Sequence, residues 1–355
     1  MEAAEALRHQ ARSCAALGSP MYADLLDRLA DDCAAGGPTA RVLRDHQDVP
    51  GPTAVALRLL GSVHRLVLER RAGALALSWP SVGGTWEPGT GAAAVLALLE
   101  ERPDEVRARL DRPPQTNEVG RACALLGGLL HLPDALRLPV QLVELGASAG
   151  LNLLADRFVV TEGPGPGGAG GRVLQGDPAS GVRLEGAWAG RELRPWPGLE
   201  VVERLGCDPH PVDPTTTEGR LALTAYVWPD QVHRLERLRG ALAVAADHPV
   251  DVRRSTAAEL VDALELREGC TTVVWHSVMW QYLDVAEQDH VVRRLEELGR
   301  AAGPHDPLVH LALEPRRRGA GTPHDFWVVL RTWPGPPEEV VVGRSVAHGM
   351  PTTWL

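Results

Sequence analysis

One stretch carries the densest chemical signal in the chain: Val143-Glu144-Leu145-Gly146-Ala147-Ser148-Ala149-Gly150-Leu151-Asn152. A short apolar run ends at Gly146, and glycines and small side chains then let the backbone approach a bound group. A helix starting there would offer unpaired N–H groups. The same residues spell G-x-S-x-G, which would hold Ser148 as a nucleophile on a sharp strand-to-helix turn. Asp306 or Asp325 and then His348 follow in the order Ser–Asp–His that such a triad can take. A plain tight turn without a ligand is the third option. Upstream, Asn117 and Arg121 are four apart and Glu118 and Arg121 three apart. On a helix they share a face, as a lid or substrate clamp with Arg121 suited to a carboxylate, or as an ordinary surface ion pair. In Trp275-His276-Ser277-Val278-Met279-Trp280-Gln281-Tyr282, alternation sends Trp275 and His276 to opposite sides of a strand. His276 is then either a hydrogen-bonded core residue or, like His348, a base that titrates near neutrality.

Residues up to about Leu132 read as almost wholly helical. Leu7, Ala11, Cys14 and Leu17 form one stripe, and Ser19-Pro20 opens a second helix carrying Leu25, Leu26 and Leu29. Further helices are expected over Thr53–Arg70, Ala92–Leu99 and Asp104–Leu110, and from Pro113-Pro114 to about His131. The texture changes at Leu138. Strands are expected at Pro139–Leu145, Leu199–Glu203, Val250–Arg253, Thr271–Val278, Leu308–Leu313, Phe326–Thr332 and Val340–Ser345. A helix carrying Leu151, Leu154 and Phe158 should follow the first strand. Long helices should occupy Thr217–Ala246 (kinked at Pro229), Ala257–Leu266 and Val285–Ala302. Residues 162–171 are a Gly- and Pro-rich loop, and Val173–Ala189 suits a hairpin-like insertion. The last two strands are joined too closely for a crossover, so they are antiparallel. The reading is an α/β fold: a seven-stranded, mainly parallel sheet with an antiparallel C-terminal hairpin, preceded by a helical lid or substrate domain. The domains are expected at residues 1–137 and 138–355, with an insertion at about 160–197.

Residues 138–355 resemble the Rossmann-like fold of class I methyltransferases that use S-adenosylmethionine. Their motif E/D-x-G-x-G-x-G is matched at Glu144, Gly146 and Gly150, with Ser148 in place of the middle glycine. The resemblance implies a cofactor site on Glu144, Gly146, Ser148, Gly150 and Asn152. It also implies a ribose-binding acid ending the second strand, for which Glu203, Asp208 and Asp213 are available and Asp208 is chosen. The third strand's end, Val252-Arg253-Arg254-Ser255-Thr256, lacks the acid that often contacts adenine in this superfamily. Acceptor-handling residues are expected after the fourth strand at Trp280, Gln281 and Tyr282. Glu314, Arg316, His324, His348 and Trp354 could converge on the same crevice. Tyr282, His276 and His348 are the candidate catalytic groups, and Asn117, Glu118, Arg121, Trp280, Gln281 and Glu314 the candidate substrate contacts. Ser19-Pro20-Met21-Tyr22, Asn117-Glu118-Val119-Gly120-Arg121, the Glu144–Asn152 segment, Val227-Trp228-Pro229-Asp230-Gln231 and His348-Gly349 make the whole chain similar to a bacterial family known only as a domain of unknown function. The expected activity is methyl transfer from S-adenosylmethionine to a small molecule. The alternatives are a serine hydrolase using Ser148, or a methyltransferase-like fold doing non-methyl chemistry such as intramolecular displacement, or binding a metabolite as a scaffold.

Composition narrows the field. All 36 basic residues of the 355 are arginine, so Walker P-loops and lysine Schiff-base chemistry are excluded. A net charge of −10, with Arg316-Arg317-Arg318 as the one dense basic run, argues against nucleic acid as a partner. No apolar run approaches a membrane span. Five scattered cysteines without CxxC spacing, and thirteen histidines without HExxH, leave zinc and disulfide frameworks unsupported. Free thiols in a cytoplasmic protein are the expectation.

Overall fold

A computed structural model describes residues 2–46, 54–111, 114–163, 171–317, 319, 324–336 and 338–355. The chain divides into two units, residues 1–116 with 216–236, and residues 117–215 with 237–355. Residues 164–170 of the expected Gly- and Pro-rich loop, together with Thr53, Pro113 and Arg318, lie outside the described residues.

In the first unit, Leu7, Ala11 and Cys14 are the buried stripe of α1 (Ala3–Ala16). Ser19 caps α2 (Pro20–Ala34) by accepting Tyr22 N–H, and Pro20 sits in the first turn, where its missing N–H costs nothing. Helices α3 (Pro38–Val42), α4 (Val55–Leu68), α5 (Pro88–Glu101) and α6 (Pro103–Arg107) follow. The apolar faces of these helices pack with Trp79 and Trp228 into one core.

The second unit begins with α7 (Ala122–Leu130), the buried strand β1 (Val140–Leu145) and a 3-10 turn at Leu151–Arg157. That turn stands where an α-helix is expected. Only seven residues separate Gly150 from Phe158, and Leu154 leaves helical geometry at φ −99°, ψ 15°. Strands β2 (Val159–Thr161), β3 (Val173–Gln175) and β4 (Arg183–Glu185) form a separate small sheet in the order β3-β2-β4. After β5 (Trp188–Gly190) comes β6 (Val201–Asp208), which runs five residues past its expected end at Glu203.

The single kinked helix expected over Thr217–Ala246 is two helices, α8 (Thr217–Ala225) and α9 (Val232–Asp247). The intervening segment has its own role in the first unit. Asp230 accepts Ser19 Oγ at 2.7 Å and Met21 N–H at 3.0 Å, and Gln231 donates to Leu17 O at 2.7 Å. Two of the sequence motifs are therefore one clasp, closed further by the Tyr22–Trp228 ring contact.

Next in the chain come β7 (Asp251–Arg254), α10 (Ala257–Asp262), β8 (Thr271–Ser277), α11 (Val285–Ala301), β9 (Leu308–Arg316), β10 (Asp325–Trp333), β11 (Val340–Ser345) and β12 (Thr352–Trp354). The large sheet has nine strands, not seven, in the order β5-β12-β11-β10-β9-β8-β1-β6-β7. The two unforeseen strands, β5 and β12, are three residues each, too short to show alternation. Five strands, β7-β6-β1-β8-β9, pair in parallel, while β10, β11 and β12 add antiparallel. β5 pairs parallel to β12. One face carries Val143, Leu145 and Val274 against Leu260 of α10 and Val291 and Leu295 of α11. On the other face α7 approaches through glycines: a Cβ on Gly128 would sit 2.6 Å from Leu311, and one on Gly127 1.9 Å from Trp354. In chain order the parallel strands read third, second, first, fourth, fifth. The order reverses between β1 and β8, and ligands of open α/β sheets bind at the carboxyl ends of strands at such a reversal.

Candidate functional site

The reversal point is occupied by the Gly146–Gly150 turn. Gly146, Ser148 and Gly150 have φ of 68°, 53° and 72°. Serine pays for that conformation where glycine does not, and such strain persists only where surroundings impose it. Here the surroundings are explicit. Ala147 N–H donates to Cys207 O at 2.8 Å, Ser148 N–H to Asp208 Oδ2 at 3.0 Å, and Leu151 N–H to Asn117 Oδ1 at 2.8 Å. The second oxygen of Asp208 accepts His210 N–H at 2.8 Å. Asp208 therefore ends β6 beside the turn and holds it. Glu203 lies near the start of β6 and bonds Gln141 and Arg267, while Asp213 caps Thr215 locally. A Cβ on Gly146 would stand 3.0 Å from Met279 Cβ, so the β1 turn and the β8 exit loop touch.

Asn117 and Glu118 are not on a helix. Glu118 is extended, a 3-10 turn covers Val119–Arg121, and α7 begins at Ala122. The surface-pair alternative also fails, because Glu118 and Arg121 are both buried and serve different partners. Arg121 donates from Nε to Ala347 O at 3.0 Å and from Nη1 to Ser277 O at 3.2 Å, tying the 346–350 turn to the end of β8. Glu118 accepts Gly120 N–H at 3.0 Å and lies 3.7 Å from Arg237. Gly120 and Gly349 permit this closeness: their Cβ atoms would sit 2.5 Å from His348 O and from Arg121 Cα.

Beneath the turn, Glu144 is buried on the α7 face beside Asn152 and Trp275. Burial pushes its carboxyl up to about 8, against the opposing pull of Asn152, Trp275 and Arg121. Glu144 Oε2, Asn152 Oδ1 and Trp275 Nε1 are buried with no hydrogen-bond partner among the described residues. On the opposite face, His276 Nδ1 lies 2.8 Å from Glu314 Oε1 and its Nε2 3.0 Å from His310 Nε2. The same Glu314 oxygen accepts Met279 N–H and Trp280 N–H at 3.1 and 3.3 Å. Trp280 stacks on His276 with centroids 4.9 Å apart. Burial and the neighbouring His276, Arg316 and Arg331 drive His310 far below the ordinary histidine value.

Glu144, Gly146, Ser148, Gly150, Asn152, Asp208, Asn117 and Arg121 thus gather at the carboxyl ends of β1, β6 and β8, and the His348 backbone packs on Gly120. His276, Trp280 and Glu314 form a second group across the sheet. Gln281 and Tyr282 lie exposed on the 3-10 turn Trp280–Tyr282, and His324 is exposed beside β10. Arg316 pairs with Glu339. Trp354 does not converge on the site: five strand spacings, roughly 24 Å, separate β12 from β1, and it packs on Gly127. Asp306 accepts Gly303 N–H just before β9, at the opposite sheet edge from Ser148, so it cannot complete a triad there. Asp325 pairs with Arg344 at 2.9 Å. Arg237, outside the sequence reading, and Trp275 and Met279, given no site role there, enter through packing. For Met279 the advance signal was Gly146 at the close approach.

A family model described as "Uncharacterized protein conserved in bacteria (DUF2332)" matches residues 4–354. The chain belongs to that family. The DUF2332 match spans both units, including the Ser19–Asp230 clasp and the turn at the reversal point. No curated protein matches the chain. No described helix of this DUF2332 member is long and apolar enough to cross a membrane.

Proposed function

We propose that this DUF2332 protein is a cytoplasmic, Rossmann-like methyltransferase that moves a methyl group from S-adenosylmethionine to a small-molecule acceptor. The observation carrying the proposal is the placement of the Gly146–Gly150 turn at the strand-order reversal, between acids on β1 and β6. The buried polar side chains Glu144, Asn152 and Trp275, which face one another there, fit a polar ligand group at that turn. The carboxyl end of β7, residues 252–256, carries no acid, and the unpartnered Ser255 Oγ is the polar contact there. The five free cysteines suit a reducing compartment.

S-adenosylmethionine supplies an electrophilic methyl on a cationic sulfur. The protein's share is orientation and exclusion of water. Gly146 leaves room beside Met279 for a close backbone approach. Asp208 and Asn117 fix the turn from two sides, and Arg121 fixes the end of β8, so a reacting group meets a preset surface. Glu144 holds its proton at neutral pH and acts toward a ligand as a neutral donor. Trp280, immobilised on His276 and Glu314, is the aromatic wall available to an acceptor.

Calorimetric titration with S-adenosylmethionine and S-adenosylhomocysteine tests the reading, paired with fluorophosphonate labelling. Saturable binding that Gly146→Val abolishes and Ser148→Ala retains supports it. The strained φ of Ser148 favours one competing reading, a Ser148 hydrolase, and phosphonylation of Ser148 without cofactor binding would put that in its place.

A further inference from the structure

In the first unit, far along the chain from Ser148, a second serine is paired with a histidine. His64 on α4 is fully buried, with Nδ1 3.1 Å from Ala225 O and Nε2 2.8 Å from Ser81 Oγ. A carbonyl oxygen only accepts, so the proton of the neutral ring must be on Nδ1. Nε2 then carries a lone pair, and Ser81 Oγ–H must donate to it. Nucleophile, base and a third group orienting the base thus stand in a row, the recurring arrangement of activated serines.

The loop presenting Ser81 is tied by its own backbone hydrogen bonds. Thr85 N–H donates to Leu77 O at 2.9 Å and Gly84 N–H to Trp79 O at 3.0 Å, closing the loop. A Cβ on Gly84 would lie 2.5 Å from three backbone atoms, so this closure requires glycine there. Ser81 itself is half-buried, and its rim is apolar: Leu77 is 77% and Val82 45% exposed. Trp79, in contact with His64 and Trp86, and Trp86 itself each bury an indole N–H that has no acceptor among the described residues.

We propose that Ser81 and His64 form a nucleophile–base pair that cleaves small esters with apolar acyl groups, independently of the methyl-transfer site. Ser81 Oγ attacks the ester carbonyl and its proton passes to His64 Nε2. The acyl–oxygen bond breaks, and the alcohol leaves with that proton. Water then attacks the acyl-serine, giving one proton back through His64 to Ser81 Oγ and releasing the acid. Burial lowers the His64 value to about 4. The charged side chains on α4 and α8 are Arg58, which donates to Leu110 O, Arg65, Glu218 and Arg220, and Arg65 pairs with Glu69 and Glu218. The base form is therefore present from about pH 5 upward, although a base this weak makes turnover slow.

The test uses the full chain, a fluorophosphonate probe and peptide mapping of the label, with p-nitrophenyl butyrate for turnover. Label on Ser81 is expected, at a rate flat from pH 5.5 to 8 and falling toward pH 4. Ser81→Ala should abolish the Ser81 label and the ester turnover, and His64→Gln should slow labelling by about 100-fold. Mapping on the unaltered chain needs no variant to fold. An unlabelled Ser81, label on Ser148 alone, or a rate that climbs through pH 6.5 would overturn the proposal.

Discussion

Replacing Glu144 with glutamine isolates the cost of a carboxyl group buried under the turn. In the folded protein this group is pushed from 4.5 to about 8, with burial as the main cause. Between those values the folded chain keeps a proton that the unfolded chain has lost. Stability therefore falls as pH rises through the window. Each unit is worth about 1.4 kcal/mol, which sets a ceiling of about 5 kcal/mol across the window. Relaxation and water entry should leave about half of that, roughly 2–3 kcal/mol. Glutamine has nearly the same shape, cannot ionise, and offers an N–H donor where the protonated acid offers O–H. Urea unfolding of both proteins from pH 5 to 8.5, followed by circular dichroism, lets every other titration cancel in the difference. The variant should gain steadily on the wild type with rising pH and match it near pH 4.5. Parallel curves across the range would refute the reasoning and mean that Glu144 ionises freely in the fold.

Arg121→Lys should destabilise by about 2–3 kcal/mol, because one ammonium cannot bridge Ala347 O and Ser277 O as the guanidinium does; thermal melting reads this directly. Gly127→Ala places a methyl 1.9 Å from Trp354, so a loss of at least about 2 kcal/mol and a change in near-ultraviolet circular dichroism are expected. Ser19→Ala removes both the α2 cap and the bond to Asp230, for about 1–2 kcal/mol, while Ser19→Thr should recover most of it; equal melting of all three proteins would mean the clasp contributes nothing.

The parallel core of the sheet was legible because buried parallel strands read as short apolar runs bounded by turn residues. Val140–Leu145 and Thr271–Ser277 are such runs, and every residue in them is buried. The edge was not legible. β5 owes its pairing to β12, which arrives late in the chain, and the three residues of each strand hold no period. The stretch after Gly150 failed for a related reason. Leu151, Leu154 and Phe158 have helical spacing, but the chain must enter β2 at Val159, and tertiary demand overrode local pattern.

For the candidate site, residue type proved more informative than spacing. Asn117, Glu118 and Arg121 were singled out together on helical periodicity, and the periodicity is absent. What unites them is that each is buried or engaged at the carboxyl edge of the sheet: Asn117 on Leu151 N–H, Glu118 on Gly120 N–H, Arg121 on two carbonyls. A polar side chain that satisfies backbone groups at a non-repetitive junction has no periodic signature, because its partner comes from another segment. Its trace in sequence is the neighbouring glycine that permits the approach. Gly120 and Gly349 admit each other's segments, Gly146 admits Met279, and Gly206 admits Ala147, with a Cβ-to-Cβ distance of 2.7 Å. The glycines mark where this fold brings distant segments together, and the polar residues beside them are where its chemistry is to be sought.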